Sequence, residues 1–292
     1  MSIVHSYSVG NGDMFSIRHD SDNCTIIDCN IPVEIEEWLL SEIDRQRDGK
    51  NIVRFISTHP DQDHICGLTR LDDHINILNF YVVKNEATKE EETEDFLRYR
   101  TLRDGDKAFY IEKACKKDWM NQTTAERGGS GINICWPVRS NGSFIKALDA
   151  ATKGKSPNNI SPVITYSLEN GVKMAWFGDL ETDFMEEIKY EIKWPATDIL
   201  FAPHHGRESG KIPSTILEQI DPLMVVIGEA PSSNLDYYGG YDTITQNSAG
   251  HIYFECVKGW VHIYVGNPHY SVGFLWDVAA SMYPNYIGSL PV

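Results

Sequence analysis

Three things are scarce in this chain of 292 residues, and each scarcity excludes something. No apolar run approaches the roughly 18 residues that cross a bilayer. The opening MSIVHSYSVGNGDMF has neither the basic start nor the apolar stretch of a signal peptide. A membrane protein is not expected; a cytoplasmic one is. Cysteine is sparse and scattered: Cys24, Cys29, Cys66, Cys115, Cys135 and Cys256 form no CxxC pair. That pattern argues against a thiolate zinc site and fits free thiols in a reducing compartment. Positive charge is also short, with 26 Lys and Arg against 42 Asp and Glu and a net charge of −16. A wide basic surface for nucleic acid and attachment to an anionic membrane are both disfavoured. A nucleotide substrate stays open, because metal ions in an acidic cleft supply the local positive charge that phosphates need.

What is present reads as an α/β chain, taken as one domain over residues 1–292. Ile3–Ser8, Met14–His19 and Cys24–Asp28 are short apolar or β-branched runs separated by Gly, Asp and Asn, and read as strands. IPVEIEEWLLSEIDRQRDGK reads as an amphipathic helix stopped by Gly49. NIVRFIST is a buried strand, residues Ile65–Leu71 a helix and ILNFYVV a strand. Residues 87–118 are strongly charged and read as two exposed helices, a helical insertion whose charges form a solvated face. ERGGSGINICWPV gives a glycine-rich turn and a strand, and residues 139–160 a polar loop.

The second half repeats the alternation. PVITYSL and VKMAWFGD are paired strands around the hairpin signal ENG. LETDFMEEIKYEI is helical, TDILFAP a strand, IPSTILEQI a helix with Pro213 near its start, and PLMVVIGEA a strand. A Gly/Tyr/Asn-rich loop follows over Pro231–Gly250, and HIYFEC, WVHIYV and YSVGFLW close the chain as strands. Strands at both ends with helices between predict two packed sheets covered by helices on their outer faces.

Chemistry concentrates in STHPDQDHICGL, which packs two histidines and two aspartates into His59–His64. The turn follows a buried strand, where ligand-bearing loops of layered α/β folds lie. Side chains of His59, Asp61, Asp63 and His64 offer imidazole nitrogens and carboxylate oxygens together, a set that suits Zn²⁺ or Mn²⁺. Such a cluster makes little sense in a core without a cation to neutralise it. Two later strand ends add to it: AWFGDLE delivers Asp179, and ILFAPHHGRESG delivers His204 and His205.

At these residues the chain resembles the metallo-β-lactamase fold superfamily, and within it the hydrolase domain of the DNA-uptake protein ComEC and its stand-alone relatives. SVGNGDMFSI, TIIDCN, STHPDQDHICGL, NNISPVITYSL, WFGDLE and APHHG carry the resemblance. It implies an αββα sandwich with metal at the seam between two mixed sheets. It also implies a first metal position of His59, Asp61 and a bridging Asp179, and a second of Asp63, His64, Asp179 and one of the histidine doublet. His204 is taken as that ligand and His205 as the proton donor facing substrate, though the doublet alone leaves them interchangeable. Two departures stand out. The turn reads HxDxDH where most members have HxHxDH, and no histidine lies between His74 and His204. Oxygen-rich coordination shifts the expectation from Zn²⁺ toward Mn²⁺ and leaves a single-ion site open. Asn158 or Asn159 is a candidate for a missing oxygen ligand, beside a plain turn role.

Two divalent ions about 3.5–4 Å apart activate water and stabilise an oxygen-rich transition state. Asp61 or Asp63 doubles as proton acceptor or as an anchor behind the ligands, while Arg207 and Lys211 either grip a phosphate or are exposed solubilising charge. Tyr237, Tyr238 and Tyr241, with Gly239 and Gly240, form an aromatic loop that either stacks a base, with Tyr238 as the candidate, or packs under the long loop. The resemblance implies a phosphodiesterase or nuclease. The acidic balance favours a small nucleotide over a nucleic acid, and a small ester, amide or lactone is a further alternative. A non-catalytic metal-binding subunit with a protein partner, or a homo-oligomer, is the non-enzymatic alternative.

Overall fold

The computed structural model describes residues 1–121, 129–231, 236–278 and 282–292. The first half supplies strands β1 (Ser2–Ser6), β2 (Phe15–Arg18), β3 (Asn23–Ile27), β4 (Ile52–Ser57), β5 (Phe80–Val82) and β6 (Ala108–Tyr110). There follow β7 (Ile132–Trp136), β8 (Val163–Ser167), β9 (Lys173–Trp176), β10 (Ile199–Phe201), β11 (Met224–Ile227) and β12 (Thr243–Thr245). The chain closes with β13 (Ile252–Val257), β14 (Trp260–Val265) and β15 (Tyr286–Pro291). These make a nine-stranded sheet in the order β15-β14-β13-β1-β2-β3-β4-β5-β6 and a six-stranded sheet in the order β12-β11-β10-β9-β8-β7. Both are mixed: β3 to β6 run parallel beside the antiparallel β1–β2–β3, and β9 to β12 run parallel beside the antiparallel β7–β8–β9.

Period-two alternation explains why two sheets stack and still carry helices. Along β3, Ile27 joins the core between the sheets with Phe15, Ile17 and Ile56, while Ile26 turns the other way. There it meets Leu39 and Ile43 of α1 (Glu36–Arg47), Leu68 and Leu71 of a later helix, and Phe55 and Phe80 of the neighbouring strands. The helix expected at Ile65–Leu71 is two helices, α2 (Gln62–Ile65) and α3 (Leu68–Ile75), broken at Cys66–Gly67. A further helix, α4 (Glu94–Asp104), packs Phe96, Tyr99 and Leu102 on the same outer face. On the smaller sheet the outer layer is built by α6 (Gly142–Thr152), α7 (Thr182–Ile188) and α8 (Ser214–Ile220), the short α5 (Asp118–Asn121) having come earlier in the chain. The result is the αββα arrangement that the strand pattern predicts.

Several local expectations are corrected. The polar loop at 139–160 contains α6 (Gly142–Thr152), capped by the Asn141 side chain, which accepts from Phe144 N at 3.0 Å. Phe144 and Ala151 are buried and Ala147 and Leu148 pack partly buried beside them, a helical period set within a largely polar segment. Of the two exposed helices in the charged stretch, only α4 forms. FYIEKACKKDW instead supplies edge strand β6, because residues 108–110 have a parallel partner in β5. YSVGFLW is not a strand beyond one bridge from Trp276 to Ser289, and the last strand is β15. The loop at Pro231–Gly250 includes β12 and α9 (Gln246–Ala249); its residues 232–235 lie outside the described residues, as do residues 126–128 of the glycine-rich turn at ERGGSG.

The consequence for function is positional. The C-terminal ends of β3, β4, β9 and β10 open on the same edge of the sandwich, so four strand ends from two sheets deliver side chains to one spot.

Candidate metal centre

Asp179 stands at the middle, fully buried just beyond β9. Its Oδ1 lies 3.0 Å from His64 Nε2, and its Oδ2 lies 3.8 Å from His59 Nε2, 3.6 Å from His204 Nε2 and 3.8 Å from His205 Nε2. Asp63 Oδ2 is 3.4 Å from His205 Nε2. The structure thus brings together His59, Asp63, His64, Asp179, His204 and His205. Asp61 departs from this set: its Oδ1 pairs with Lys89 Nζ at 2.6 Å, and it makes no ion-pair contact with an imidazole among the described residues.

Each inward nitrogen is set by what its ring does on the other side. His64 Nδ1 donates to Asp28 Oδ2 at 2.9 Å, and His205 Nδ1 donates to Asp13 Oδ1 at 3.1 Å. The Thr58 hydroxyl spends its one proton on Asp28 Oδ2 at 2.6 Å, so toward His59 Nδ1, 3.0 Å away, it accepts. Ser161 Oγ lies 3.2 Å from the same nitrogen and accepts from Asp179 N at 3.2 Å. In all three rings the Nδ1 proton is engaged and Nε2 faces the carboxylates.

These inward atoms have nothing to bond to. The Nε2 atoms of His59, His64 and His205 and Asp179 Oδ1 are buried without a hydrogen-bond partner; even the 3.0 Å approach of His64 to Asp179 is not directed as a hydrogen bond. Leaving one such atom unpaired costs about 1–3 kcal/mol, so four together call for a group that protein does not supply. Asp13, His64, Asp179 and His205 each present one ligand atom within 4.8 Å of the others. A divalent cation of the N/O-preferring kind fits this donor set.

Electrostatics agree with the geometry. Burial, with His64 adding to it, pushes the His59 imidazole down to about 3. Burial opposes charge on His64 and His205 as well, but Asp179 and Asp28 hold His64 well above its ordinary value, and Asp13 and Asp179 lift His205 to about 10. Despite its burial Asp179 is held well below the carboxylate range by His64 and His205, and Asp63, also against burial, is held at about 2 by His205 and His64. The cluster therefore demands positive charge at its centre. Phe15, Trp176 and Phe201 floor it, with ring centroids 5.0 and 4.7 Å apart, and keep that field in a dry environment.

The two histidines of the doublet take different places. His204 and His205 both adopt left-handed backbone, φ +51° and +55°, which swings the second ring inward. His205 is buried in the cluster, so it is the better placed ligand; His204 is 13 % exposed and faces the rim. There Ser209 Oγ sits 2.9 Å from its Nδ1, and Arg207 reaches to within 3.5 Å of its Nε2. Arg207 also bonds Asn11 at the rim. Lys211 does not: it is exposed, its Nζ 5.9 Å from the Tyr237 ring. Tyr238 is buried, with its ring in the core, and cannot stack a base. Asn158 and Asn159 are turned to Glu181, at 3.3 and 2.7 Å.

Residues that the sequence reading left without a role complete the site. Asp13 and Asp28 lie inside the quoted SVGNGDMFSI and TIIDCN segments, and Ser161 inside NNISPV. The NGD loop lies on the metal loop through Asp13 N to Asp63 O, 3.2 Å; a Cβ on Gly12 would stand 2.5 Å from that same carbonyl oxygen, so only glycine allows the approach. Asp28 takes φ +56° to aim its carboxylate at Thr58 and His64. The charged stretch also contributes: besides Lys89, the Asp95 carboxylate accepts from Gly67 N and Thr69 N at 2.8 and 2.9 Å.

Two packed mixed sheets, flanking helices and a seam cluster of imidazoles and carboxylates are the arrangement of the metallo-β-lactamase fold. Residues 7–131 match the family model described as Metallo-beta-lactamase superfamily. The match takes in Asp13, Asp28 and His59–His64 and ends before Asp179 and the histidine doublet. No curated protein matches the chain. Among solved structures the chain is similar to Igni18, a metallo hydrolase from the hyperthermophilic archaeon Ignicoccus hospitalis KIN4/I, at 13 % identity and a TM-score of 0.47, over 87 % of this chain and 99 % of that one. Among the described residues no helix is long and apolar enough to cross a membrane.

Proposed function

We propose that this protein is a metal-dependent hydrolase of phosphodiesters, with small nucleotide-type diesters preferred over long nucleic acid. The observation that carries the hydrolase reading is the set of buried, partnerless Nε2 and carboxylate atoms facing one another across the seam. His64, His205, Asp63 and Asp179 would hold a divalent ion, with His59 and His204 on the far side of Asp179. When bound, such an ion would supply a Lewis acid that acidifies water and offsets negative charge on the oxygens of the phosphoryl group under attack. The chain's own groups do the rest. Asp28, Asp13, Thr58 and Ser161 fix the ring orientations, so little reorganisation is needed at the moment of reaction. Arg207, braced by Asn11, offers its guanidinium to a phosphate oxygen at the rim. His204, partly exposed and backed by Ser209, exchanges a proton with the leaving group.

The phosphodiester preference is supported by the resemblance of the motifs to the ComEC hydrolase domain and by Arg207. The preference for a small substrate is supported by the net charge of −16. Purified protein with Mn²⁺ is expected to cleave bis-p-nitrophenyl phosphate or a cyclic dinucleotide faster than linear DNA, and Asp179→Ala to abolish that cleavage. Metal binding with no cleavage of any of the three substrates would favour the non-catalytic subunit instead.

A further inference from the structure

We propose that Lys89 is a positioning residue that holds Asp61 out of the metal centre and so limits the protein to one tightly bound divalent ion. The inference rests on reading the seam cluster as a metal centre. Asp61 is the middle carboxylate of the HPDQD turn, two residues from His59 and two from Asp63, both of which join the cluster. It alone turns away, to Lys89 Nζ at 2.6 Å.

Asp61 gives up a local alternative to do so. It occupies the N-cap position of α2, where an aspartate normally accepts from the first free backbone N–H groups. Its side chain makes no such bond; only its carbonyl serves the helix, accepting from His64 N at 3.0 Å. The carboxylate is therefore committed to the lysine.

The lysine is held in place in turn. It lies in the stretch that leads into α4, and that stretch is clipped to the metal loop on both sides of α2. The Thr93 hydroxyl, which caps α4 by accepting from Phe96 N, donates to Gln62 Oε1 at 3.0 Å. Asp95 accepts from the backbone of Gly67 and Thr69. Nζ of Lys89 lies 5.9 Å from the Phe96 ring, and the side chain is only 20 % exposed. An ammonium fixed in this way is not a loose surface charge.

Its effect follows from the donor count. Asp179 Oδ1 faces His64 at 3.0 Å, while Oδ2 faces the Nε2 atoms of His204 at 3.6 Å and of His59 and His205, each at 3.8 Å. Of these, His205 also has Asp63 beside it, whereas a position between His59 and His204 has no carboxylate oxygen other than that of Asp179. That second position is one oxygen short, and Asp61 is the carboxylate that would complete it. Lys89 withholds the ligand and also places a unit positive charge beside the position, which repels a second cation. With Lys89 removed, affinity for a second ion is expected to rise on the order of tenfold or more.

The test is a Mn²⁺ titration of chelator-stripped protein, with free Mn²⁺ read by electron paramagnetic resonance and retained metal by elemental analysis after desalting. Wild type is expected to retain one equivalent. Lys89→Met is expected to retain two, Lys89→Arg one, and Lys89→Met combined with Asp61→Asn one again. Asp61→Asn alone is expected to leave the affinity of the first equivalent unchanged. Circular dichroism checks that each variant is folded, and the Lys89→Arg and Asp61→Asn results stand even where Lys89→Met does not fold. Two equivalents in wild type, one in folded Lys89→Met, or a weakened first equivalent in Asp61→Asn would each overturn the proposal while leaving the metal centre standing. No bound metal in wild type would instead remove the metal centre on which it rests.

Discussion

Asp28→Asn separates the charge of a supporting carboxylate from everything else it does. Asp28 sits at φ +56°, a backbone region that asparagine tolerates well and alanine does not. The substitution therefore adds little strain, and its effect reports on the three bonds that the carboxylate accepts. Oδ1 takes Thr58 N at 2.7 Å; Oδ2 takes Thr58 Oγ1 at 2.6 Å and His64 Nδ1 at 2.9 Å. The amide of asparagine has one oxygen. Kept at the Oδ2 position it preserves two bonds, and its NH₂ then faces the Thr58 N–H, leaving a buried donor unpaired at about 1–3 kcal/mol. The reverse orientation breaks two bonds and is worse. The preserved bond to His64 is also weaker, because a neutral acceptor replaces a charged one. We expect metal-free protein to lose about 1–3 kcal/mol of stability, and Mn²⁺ affinity to fall about tenfold, the lower end for residues that orient metal-binding histidines. Asp28→Ala is expected to lose more of both, since it removes every acceptor and adds about 1–2 kcal/mol for left-handed backbone. Urea unfolding in chelator gives the first quantity and calorimetric Mn²⁺ titration the second. Asp28→Asn protein that is destabilised yet binds Mn²⁺ with wild-type affinity would refute the argument, because Asp28 would then merely pin the Thr58 loop.

Three further outcomes follow from the same geometry. Gly178 has φ +52°, and a Cβ there would stand 2.7 Å from Ser161 Oγ and 3.0 Å from Thr58 Cβ, the residues that hold His59; Gly178→Ala is expected to cost about 2–4 kcal/mol in urea unfolding and to weaken Mn²⁺ binding. His5 and His19 are buried, and burial lowers each to about 3, so between about pH 6.5 and 3 the unfolded chain takes up protons that the folded one refuses. Stability should fall as the pH drops through that window, and replacing either histidine by an untitratable residue should flatten the slope by about 1 kcal/mol per unit between pH 7 and 5, rising toward about 1.4 kcal/mol per unit at the acid end, read from urea midpoints at pH 7, 6 and 5. Tyr238→Phe removes a buried hydroxyl with no well-directed partner, so stability should change by no more than about 1 kcal/mol and the KM for a phosphodiester not at all; a raised KM would return Tyr238 to the substrate site.

The strand framework was legible because its runs are short, strongly apolar and punctuated, as in TDILFAP before His204 and VKMAWFGD around Asp179. The residues of the centre were legible because each follows such a run directly. What stayed hidden depends on information that is not local. α6 turns Phe144, Ala147, Leu148 and Ala151 to the core at helical spacing, but the polar residues on both sides of this short apolar stripe read as a loop. β6 forms because β5 offers it an edge. The inward turn of His205 follows from two successive left-handed residues, which the doublet itself does not encode. The pairing of Asp61 with Lys89 joins positions 28 apart, and the charged run around Lys89 looks like any solvated face until the fold lays it against the metal loop.

β1 lies between β2 and β13, and Ser2 is registered against Cys256. One flank of β1 therefore stays open until β13 has been made, however early β2 to β6 assemble. A nascent chain in that condition presents a bare hydrogen-bonding edge and a half-covered apolar face, the conditions under which chaperones are recruited and wrong pairings arise.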